Sequence, residues 1–141
     1  MEINQKYMLN ERDVKNIILA DGNCPGFILK LNIPYYRGVA LSMVDDLYVK
    51  VNGQVFEKEK LIFCVDGFRY IWPQIETVTT FRWEYGTKAT VFVPMEGGIT
   101  VTPVYHIEVG CGIRMSYGGP VRPCVAYMDV DACKIERIVV G

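Results

Sequence analysis

Residues 106–117 read His-Ile-Glu-Val-Gly-Cys-Gly-Ile-Arg-Met-Ser-Tyr, and this stretch decides the fold class of the chain. Apolar residues occupy every second position from Ile107 to Tyr117. Because the side chains of a strand alternate between the two faces of its sheet, this period of two predicts a long strand with one buried face. Gly110 and Gly112 fall on the other face, where they leave room for a neighbouring group or allow strong bending.

Two hairpins are predicted before this strand. Residues 47–51 alternate apolar and polar side chains and are followed by Asn52-Gly53, a pair that supplies the two positive φ values of a type I′ turn. Asp66-Gly67 serves the same purpose after residues 61–65. The predicted returning strands are residues 54–56 and 68–72.

The rest of the chain has the same character. Helix evidence is limited to one turn at residues 73–78, where Pro73 is tolerated in a first turn. Short strands at about ten-residue spacing predict an all-β fold, an antiparallel β-sandwich or jelly-roll-like barrel formed as a single domain over residues 1–141. The remaining predicted strands are residues 14–19, 27–33, 89–93, 99–101 and 133–140.

Composition narrows the function classes. Half of the 141 residues are hydrophobic, and fifteen Lys and Arg against sixteen Asp and Glu give a formal net charge of −1. With no basic surplus, we expect no binding to nucleic acid or to a membrane. The N-terminus has no charged-then-apolar signal segment and no stretch approaches a membrane span, so we expect a cytoplasmic protein.

The chain lacks the side chains for an active site of its own. His106 is the only histidine, so a catalytic triad or an H-x-H metal centre has no complete residue set. Asp129 and Asp131 can converge on a hard cation, but further acidic ligands are missing nearby. We therefore predict no catalytic residue and no metal ligand here.

The cysteines give no functional pattern either. Their number is odd and no pair has C-x-x-C spacing, which argues against a zinc ribbon or a redox dithiol. We interpret them as small buried hydrophobic residues in a reducing compartment. They are Cys24, Cys64, Cys111, Cys124 and Cys133.

Aromatic residues next to arginine are the most suggestive local feature. Tyr35-Tyr36-Arg37-Gly38 follows a predicted strand, and Phe81-Arg82-Trp83-Glu84-Tyr85-Gly86 precedes one. Such clusters are common at protein interfaces and sugar sites, although core packing with a snorkelling arginine gives the same pattern. Arg37 can also reach a carboxylate or a carbonyl across an interface. The partner-interface or substrate-closing candidates are Tyr35, Tyr36, Arg37, Trp83 and Tyr85.

These segments resemble a known family, and they occur in the same order. Residues 33–42 (Ile-Pro-Tyr-Tyr-Arg-Gly-Val-Ala-Leu-Ser) resemble its early motif, which leads to a V-x-V-x-G strand at residues 47–53. Residues 83–91 resemble its W-x-[FY]-G-x-x-A segment, and residues 113–117 resemble its I-R-x-S-Y strand. Over residues 30–117 the chain thus resembles the β subunit of bacterial C-glycoside deglycosidases. After Tyr117 there is no motif match, and that segment is interpreted as a strand pair or an oligomer contact.

The resemblance implies a division of labour. Members of that family are β-sandwich small subunits of a hetero-oligomeric carbon–carbon lyase, and the larger α subunit is a TIM barrel of the sugar-isomerase type. The α subunit binds a divalent metal, manganese or magnesium, and the resemblance implies no cofactor on the β subunit. The substrate is a 3-oxo C-glycoside, typically of a flavonoid, oxidised beforehand by a separate enzyme.

The chemistry is consistent with that division. A C–C glycosidic bond has no bridging oxygen to protonate, so two-carboxylate hydrolysis is not available. A ketone at C3 acidifies the C2 hydrogen, a base removes it, and the aglycone then leaves by elimination. Because this chain lacks the base and the ligands, the partner must supply them.

Two other function classes compete with this reading. A stand-alone carbohydrate-binding β-sandwich can stack sugars on Trp83, Tyr35 and Tyr36, but such modules are usually secreted and fused to a catalytic domain. A small β-sandwich assembly protein without a ligand is the third reading, and only the resemblance argues against it.

Overall fold

The computed structural model describes residues 8–32, 39–40, 44–65, 68–71, 82–83, 88–100, 102–114 and 121–140. These residues form twelve β-strands and short 3₁₀ turns, with no α-helix among them. None of the described helical segments is long and apolar enough to cross a membrane. The strands are β1 (Lys15–Leu19), β2 (Gly26–Asn32), β3 (Val39–Ala40), β4 (Val44–Val51), β5 (Gln54–Glu57), β6 (Ile62–Val65), β7 (Phe68–Tyr70), β8 (Arg82–Trp83), β9 (Lys88–Val93), β10 (Val104–Arg114), β11 (Val121–Asp131) and β12 (Glu136–Val140).

The strands pair into two main sheets and one small one. The six-stranded sheet has the order β12-β1-β2-β9-β6-β7, the four-stranded sheet has the order β11-β10-β4-β5, and β3 pairs with β8. All described pairings are antiparallel except the parallel pairing of β1 with β12. The predicted all-β fold class is confirmed, with sheets that are antiparallel apart from the pairing of β1 with β12. The extent of the domain, residues 1–141, stays a prediction.

The long strand β10 behaves as its alternation predicts up to Arg114; Met115, Ser116 and Tyr117 lie outside the described residues. It begins at Val104, and the side chains of Ile107, Val109, Cys111 and Ile113 are all at most 2% exposed. Gly110 is also buried, because the ring of Tyr48 from β4 lies directly on it, where a Cβ atom would overlap the ring. The predicted close approach at this glycine is therefore confirmed.

The first predicted hairpin is confirmed in detail. Asn52 and Gly53 have φ values of 47° and 89°, and they join β4 to β5 with Val51 opposite Gln54. In the second hairpin, Val65 of β6 lies opposite Phe68 of β7 as expected, whereas Asp66-Gly67 lies outside the described residues.

One hydrophobic cluster draws side chains from both main sheets. Phe27 and Phe63 enter it from the six-stranded sheet, and Leu47 and Val109 enter it from the four-stranded sheet, all fully buried. Burying a side chain of this size contributes roughly 1.5–3 kcal/mol, so this shared cluster stabilises the two sheets together. The architecture is that of the predicted sandwich.

The prediction of a strand at residues 99–101 is wrong. Ile99 is fully buried outside any strand, and the Asn16 side chain of β1 satisfies its backbone. The Asn16 amide oxygen accepts from the Ile99 N–H at 2.8 Å, and the amide nitrogen donates to the Ile99 carbonyl at 3.1 Å. A side chain thus replaces a neighbouring strand; Val101 lies outside the described residues.

The C-terminal segment also differs from expectation. Ala132–Lys134 forms a 3₁₀ turn, so the terminal strand begins at Glu136 and is shorter than predicted. The segment after Tyr117 forms strands, as one of its two interpretations expected, but β11 pairs with β10 and β12 pairs with β1. The bounds of the eleven-residue strand β11 were not predicted; Pro123 is tolerated in it because β11 is at the edge of its sheet. The helical turn predicted at residues 73–78 lies outside the described residues.

Candidate functional site

The two aromatic motif segments are joined through the small sheet. Val39 of β3 pairs with Trp83 of β8, and Ala40 pairs with Arg82. Tyr35, Tyr36, Arg37 and Tyr85 lie outside the described residues, and only the backbone of Trp83 is described. The pairing nevertheless joins, by backbone hydrogen bonds, the strand that follows Tyr35-Tyr36-Arg37-Gly38 in sequence to the strand that contains Trp83.

The outer face of the four-stranded sheet carries polar side chains that bond one another; we call it the polar face. Tyr48 of β4 lies across Gly110 and donates its hydroxyl hydrogen to Glu108 Oε2 of β10 at 2.5 Å. A hydrogen bond to a carboxylate is among the stronger ones, and the bare backbone of Gly110 lets the ring lie flat enough to make it. The residues of the polar face are Tyr48, Lys50, Val55, His106, Glu108, Tyr127 and Asp129.

His106 has a fixed partner at the end of this face. Its Nδ1 lies 2.5 Å from Asp129 Oδ1, directly across the β10–β11 pairing. An ionised carboxylate can only accept a hydrogen bond, so in this pair the His106 Nδ1–H group donates to Asp129. The side chains of His106 and Asp129 are 72% and 69% exposed, so water screens their interaction and the pair is not enclosed in a pocket.

A charged groove of about 570 Å³ lies beside this pair. The groove is lined by two cations, Arg12 and Lys134, and by three carboxylates, Glu11, Asp129 and Asp131. Asp131 accepts from the Cys133 N–H at 2.9 Å and thereby caps the following 3₁₀ turn. Within the part of the chain that the structure describes, no three His, Cys, Asp or Glu side chains group as metal ligands.

Part of the outer face of the six-stranded sheet is apolar, where a solvent-facing sheet is commonly polar. Phe92 of β9 lies between Ile62 of β6 and Ile28 of β2 in register, and its ring packs against Gly26. Farther along, Ile17 pairs with Ile138, and Leu19 pairs with Val140. We call these seven residues the apolar patch: Ile17, Leu19, Ile28, Ile62, Phe92, Ile138 and Val140.

The apolar patch remains partly open. Leu19 is 37% exposed and Val140 is 41% exposed, and the other five side chains are half-buried. The alternating residues on β2, namely Phe27, Leu29 and Leu31, are fully buried in the core, so the outward direction of Ile28 is set by strand alternation.

Three cations border the apolar patch on the same face, namely Lys15, Lys30 and Arg69, and Lys88 lies one row farther away. Lys15 pairs with Glu136 at 3.4 Å, and Lys88 pairs with Asp13 at 2.6 Å. Lys30 and Arg69 flank the row formed by Cys64 and Thr90, and neither has a carboxylate partner among the described residues. Among the described residues, the face therefore combines an aliphatic surface with two cations, Lys30 and Arg69, that no carboxylate neutralises, although the formal net charge of the whole chain is −1.

None of the five cysteines is in a disulfide bond. Cys111 and Cys124 lie opposite each other on β10 and β11 and are both buried. Burial, with smaller effects from Cys124 and Asp46, raises the pKa of the Cys111 thiol far above its usual value of 9.0. Such a thiol stays protonated and is a poor nucleophile. The interpretation as buried hydrophobic residues holds for this pair, whereas Cys133 is exposed.

His106 and Asp129 were each noted from the sequence, but their pairing was not predicted. It depends on β11 lying beside β10, and the bounds of β11 were not predicted. It also missed Tyr48, whose position on Gly110 depends on which strand neighbours β10. The glycine pair was the available signal: bare positions on a long strand indicate that a neighbouring side chain crosses there.

A comparison with protein families gives a match over most of the chain. The model described as C-glycoside deglycosidase beta subunit matches residues 4–117. The matched region contains β1 to β10, whereas β11 and β12 lie beyond it.

Curated relatives carry similar names. The C-glycoside deglycosidase beta subunit of Eubacterium cellulosolvens is 29% identical over 118 residues, covering 83% of this chain and 79% of the relative. The protein of the same name from Arthrobacter globiformis is 27% identical over 92 residues, covering 65% and 70%. The 3'-dehydrocarminate deglycosidase beta subunit of a Microbacterium species is 24% identical over 104 residues, covering 74% and 76%.

Proposed function

Because this chain belongs to the C-glycoside deglycosidase beta subunit family, we propose that it is the small subunit of an enzyme that releases the aglycone from 3-oxo C-glycosides. The observation that carries the proposal is the family match over residues 4–117. The name of one relative specifies a 3'-dehydro compound, which supports a sugar that is oxidised at that position before cleavage. We place the protein in the cytoplasm, and the substrates that we propose are the 3-oxo forms of flavonoid C-glucosides.

The reaction is an elimination. A base removes the proton at C2, which the C3 ketone has acidified, and the electron pair forms the C1–C2 double bond. The bond between C1 and the aglycone carbon breaks, and that carbon takes up a proton. The products are an unsaturated keto sugar and the free aglycone, so atoms and electrons balance without an oxidant.

The groups for these steps are assigned to the larger subunit, for which we propose a TIM barrel with a manganese or magnesium ion. A divalent ion there supplies charge stabilisation for the enolate oxygen. The described residues of this chain do not fit such an ion, since they contain no group of three ligands, so no step is assigned to a metal on this chain. The chain's own role is to assemble with the larger subunit and complete its site.

The aromatic motif segments are the proposed substrate-closing or partner-interface residues. The pairing of Val39 with Trp83 supports this, because it connects two separate motif segments at one place. Arg37→Ala in the assembled complex is expected to weaken assembly or turnover, measured by co-purification and by aglycone release. Normal values of both would remove Arg37 from the site.

The experiment that tests the proposal is reconstitution. The chain and its proposed larger subunit are purified together and separately, then assayed for aglycone release from a 3-oxo C-glycoside. We expect release by the complex only, none by this chain alone, and none from the unoxidised C-glycoside, whose C2 hydrogen is not acidified. Saturable sugar binding by this chain alone, without association with a larger subunit, would instead support a carbohydrate-binding module.

A further inference from the structure

We propose that the apolar patch on the six-stranded sheet is the surface to which the larger subunit binds. The matching surface of the larger subunit is then an apolar area bordered by Asp and Glu side chains. The inference rests on the proposed function, because it names the surface that a small subunit must use. Three observations favour the larger subunit as the partner that binds there: the kind of side chains in the patch, the charge around it, and the contrast with the polar face.

The first observation is that the patch is contiguous. Ile62, Phe92 and Ile28 are register neighbours across three strands, and Ile17 with Ile138 continues the surface beyond Gly26. Aliphatic side chains that touch across strands form one continuous area, unlike single exposed apolar residues, which are ordinary on any surface. Contiguous apolar areas with polar borders mark interaction sites on soluble proteins.

The second observation is the charge at the border. Lys30 and Arg69 have no carboxylate partner among the described residues, and they lie one row away from Ile62 and Phe92. A partner with carboxylates at the rim neutralises them, which steers the encounter and fixes the register. A second copy of this chain, docked by the same face about a two-fold axis, would bring the two positive borders together, so charge disfavours self-association.

The third observation concerns the alternative face. On the polar face, Tyr48 is bonded to Glu108 and His106 is bonded to Asp129, so the strongest polar groups are already satisfied within the chain. Docking there would require desolvating these bonded groups, and that cost would offset the burial of the exposed Val55 and Tyr127 side chains. The apolar patch has the opposite character, since its burial removes aliphatic surface from water.

The test compares matched substitutions on the two faces in the full chain. Ile28→Glu places a carboxylate in the middle of the patch, and Val55→Glu places one on the polar face, where Val55 is 49% exposed. Each variant is titrated against the larger subunit, and its fold is checked by thermal melting of the isolated chain. We expect Ile28→Glu to weaken association by about tenfold or more, and Val55→Glu to leave it unchanged.

A milder pair guards against misfolding. Lys30 and Lys50 are both half-buried lysines on outer faces, so Lys30→Gln and Lys50→Gln remove one charge each without adding one. We expect Lys30→Gln to weaken association and to reduce its dependence on salt concentration, and Lys50→Gln to change neither.

The outcomes separate the two proposals. If the wild-type chain and the larger subunit do not associate, the proposed function fails, and the inference fails with it. If they associate and both Ile28→Glu and Lys30→Gln bind normally, only the inference is overturned. It is also overturned if Val55→Glu is the disruptive variant, or if the isolated chain forms a dimer that Ile28→Glu dissociates.

Discussion

On the outer face of the four-stranded sheet, polar side chains bond one another, as Tyr48 does with Glu108 and His106 with Asp129. On the outer face of the six-stranded sheet, the corresponding neighbours are aliphatic or aromatic, and the cation Lys30 beside them has no carboxylate partner among the described residues. Both sheets contribute to one core, so stability of the core does not explain the difference. What differs is the environment that suits each outer face. The face of the four-stranded sheet suits contact with water, and the face of the six-stranded sheet suits contact with another protein.

The largest effect is expected from the residue that supports the patch from inside. Asn16 is 3% exposed on β1, between Lys15 and Ile17, and it satisfies both backbone groups of Ile99. Asn16→Leu leaves a buried N–H and a buried carbonyl unpaired, which is expected to cost about 2–4 kcal/mol of unfolding free energy. Denaturant unfolding of the isolated chain measures it.

The matched control for that substitution is Asn23→Leu. Asn23 is exposed, and its side chain donates to the Asp21 carboxylate two residues away, so a loss of about 1 kcal/mol or less is expected. Equal losses at the two positions would show that the buried amide is not what holds Ile99 beside β1.

The next effect concerns the polar face. Gly110→Ala introduces a Cβ atom where the Tyr48 ring lies, so the ring must move away from Glu108. A cost of about 1–3 kcal/mol is expected from this overpacking, measured by thermal or denaturant unfolding. Association with the larger subunit should be unchanged at temperatures where the variant is folded. Weaker association would place the polar face in the interface and remove the contrast between the faces.

The smallest effect is expected at the exposed ion pair. His106→Ala and Asp129→Asn each remove one partner of a pair that is about 70% exposed on both sides. Pairs of this kind contribute about 1 kcal/mol or less, so both variants should unfold close to the wild type. A loss of several kcal/mol, or loss of aglycone release by the complex, would assign the pair a role that its exposure does not indicate.

The sequence predicted those elements whose evidence is local. The strands β2, β4 and β10 and the Asn52-Gly53 turn depend on neighbouring residues, and all of them are confirmed over the residues that the structure describes. Strand β11 was missed because Cys124, Val125 and Ala126 are all buried, which removes the alternation that marks a half-buried strand.

The two faces themselves could not be derived from the sequence. The apolar patch depends on β9 lying between β2 and β6, and on a parallel pairing of β1 with β12 from the two ends of the chain. Strand order is set by contacts far apart in sequence, and the alternation within one strand does not carry that information. The motif resemblance, by contrast, identified the family because it uses residue identities and not strand order.

The most direct test of the contrast between the faces is lysine labelling of the free chain and of its complex. Lys30 borders the apolar patch and Lys50 lies on the polar face, and both are half-buried, so each serves as the other's reference. Reaction with an amine-specific reagent is followed by mass spectrometry at each site. We predict that complex formation slows the labelling of Lys30 about tenfold or more and leaves that of Lys50 unchanged. Protection of Lys50 with Lys30 still reactive would contradict the account.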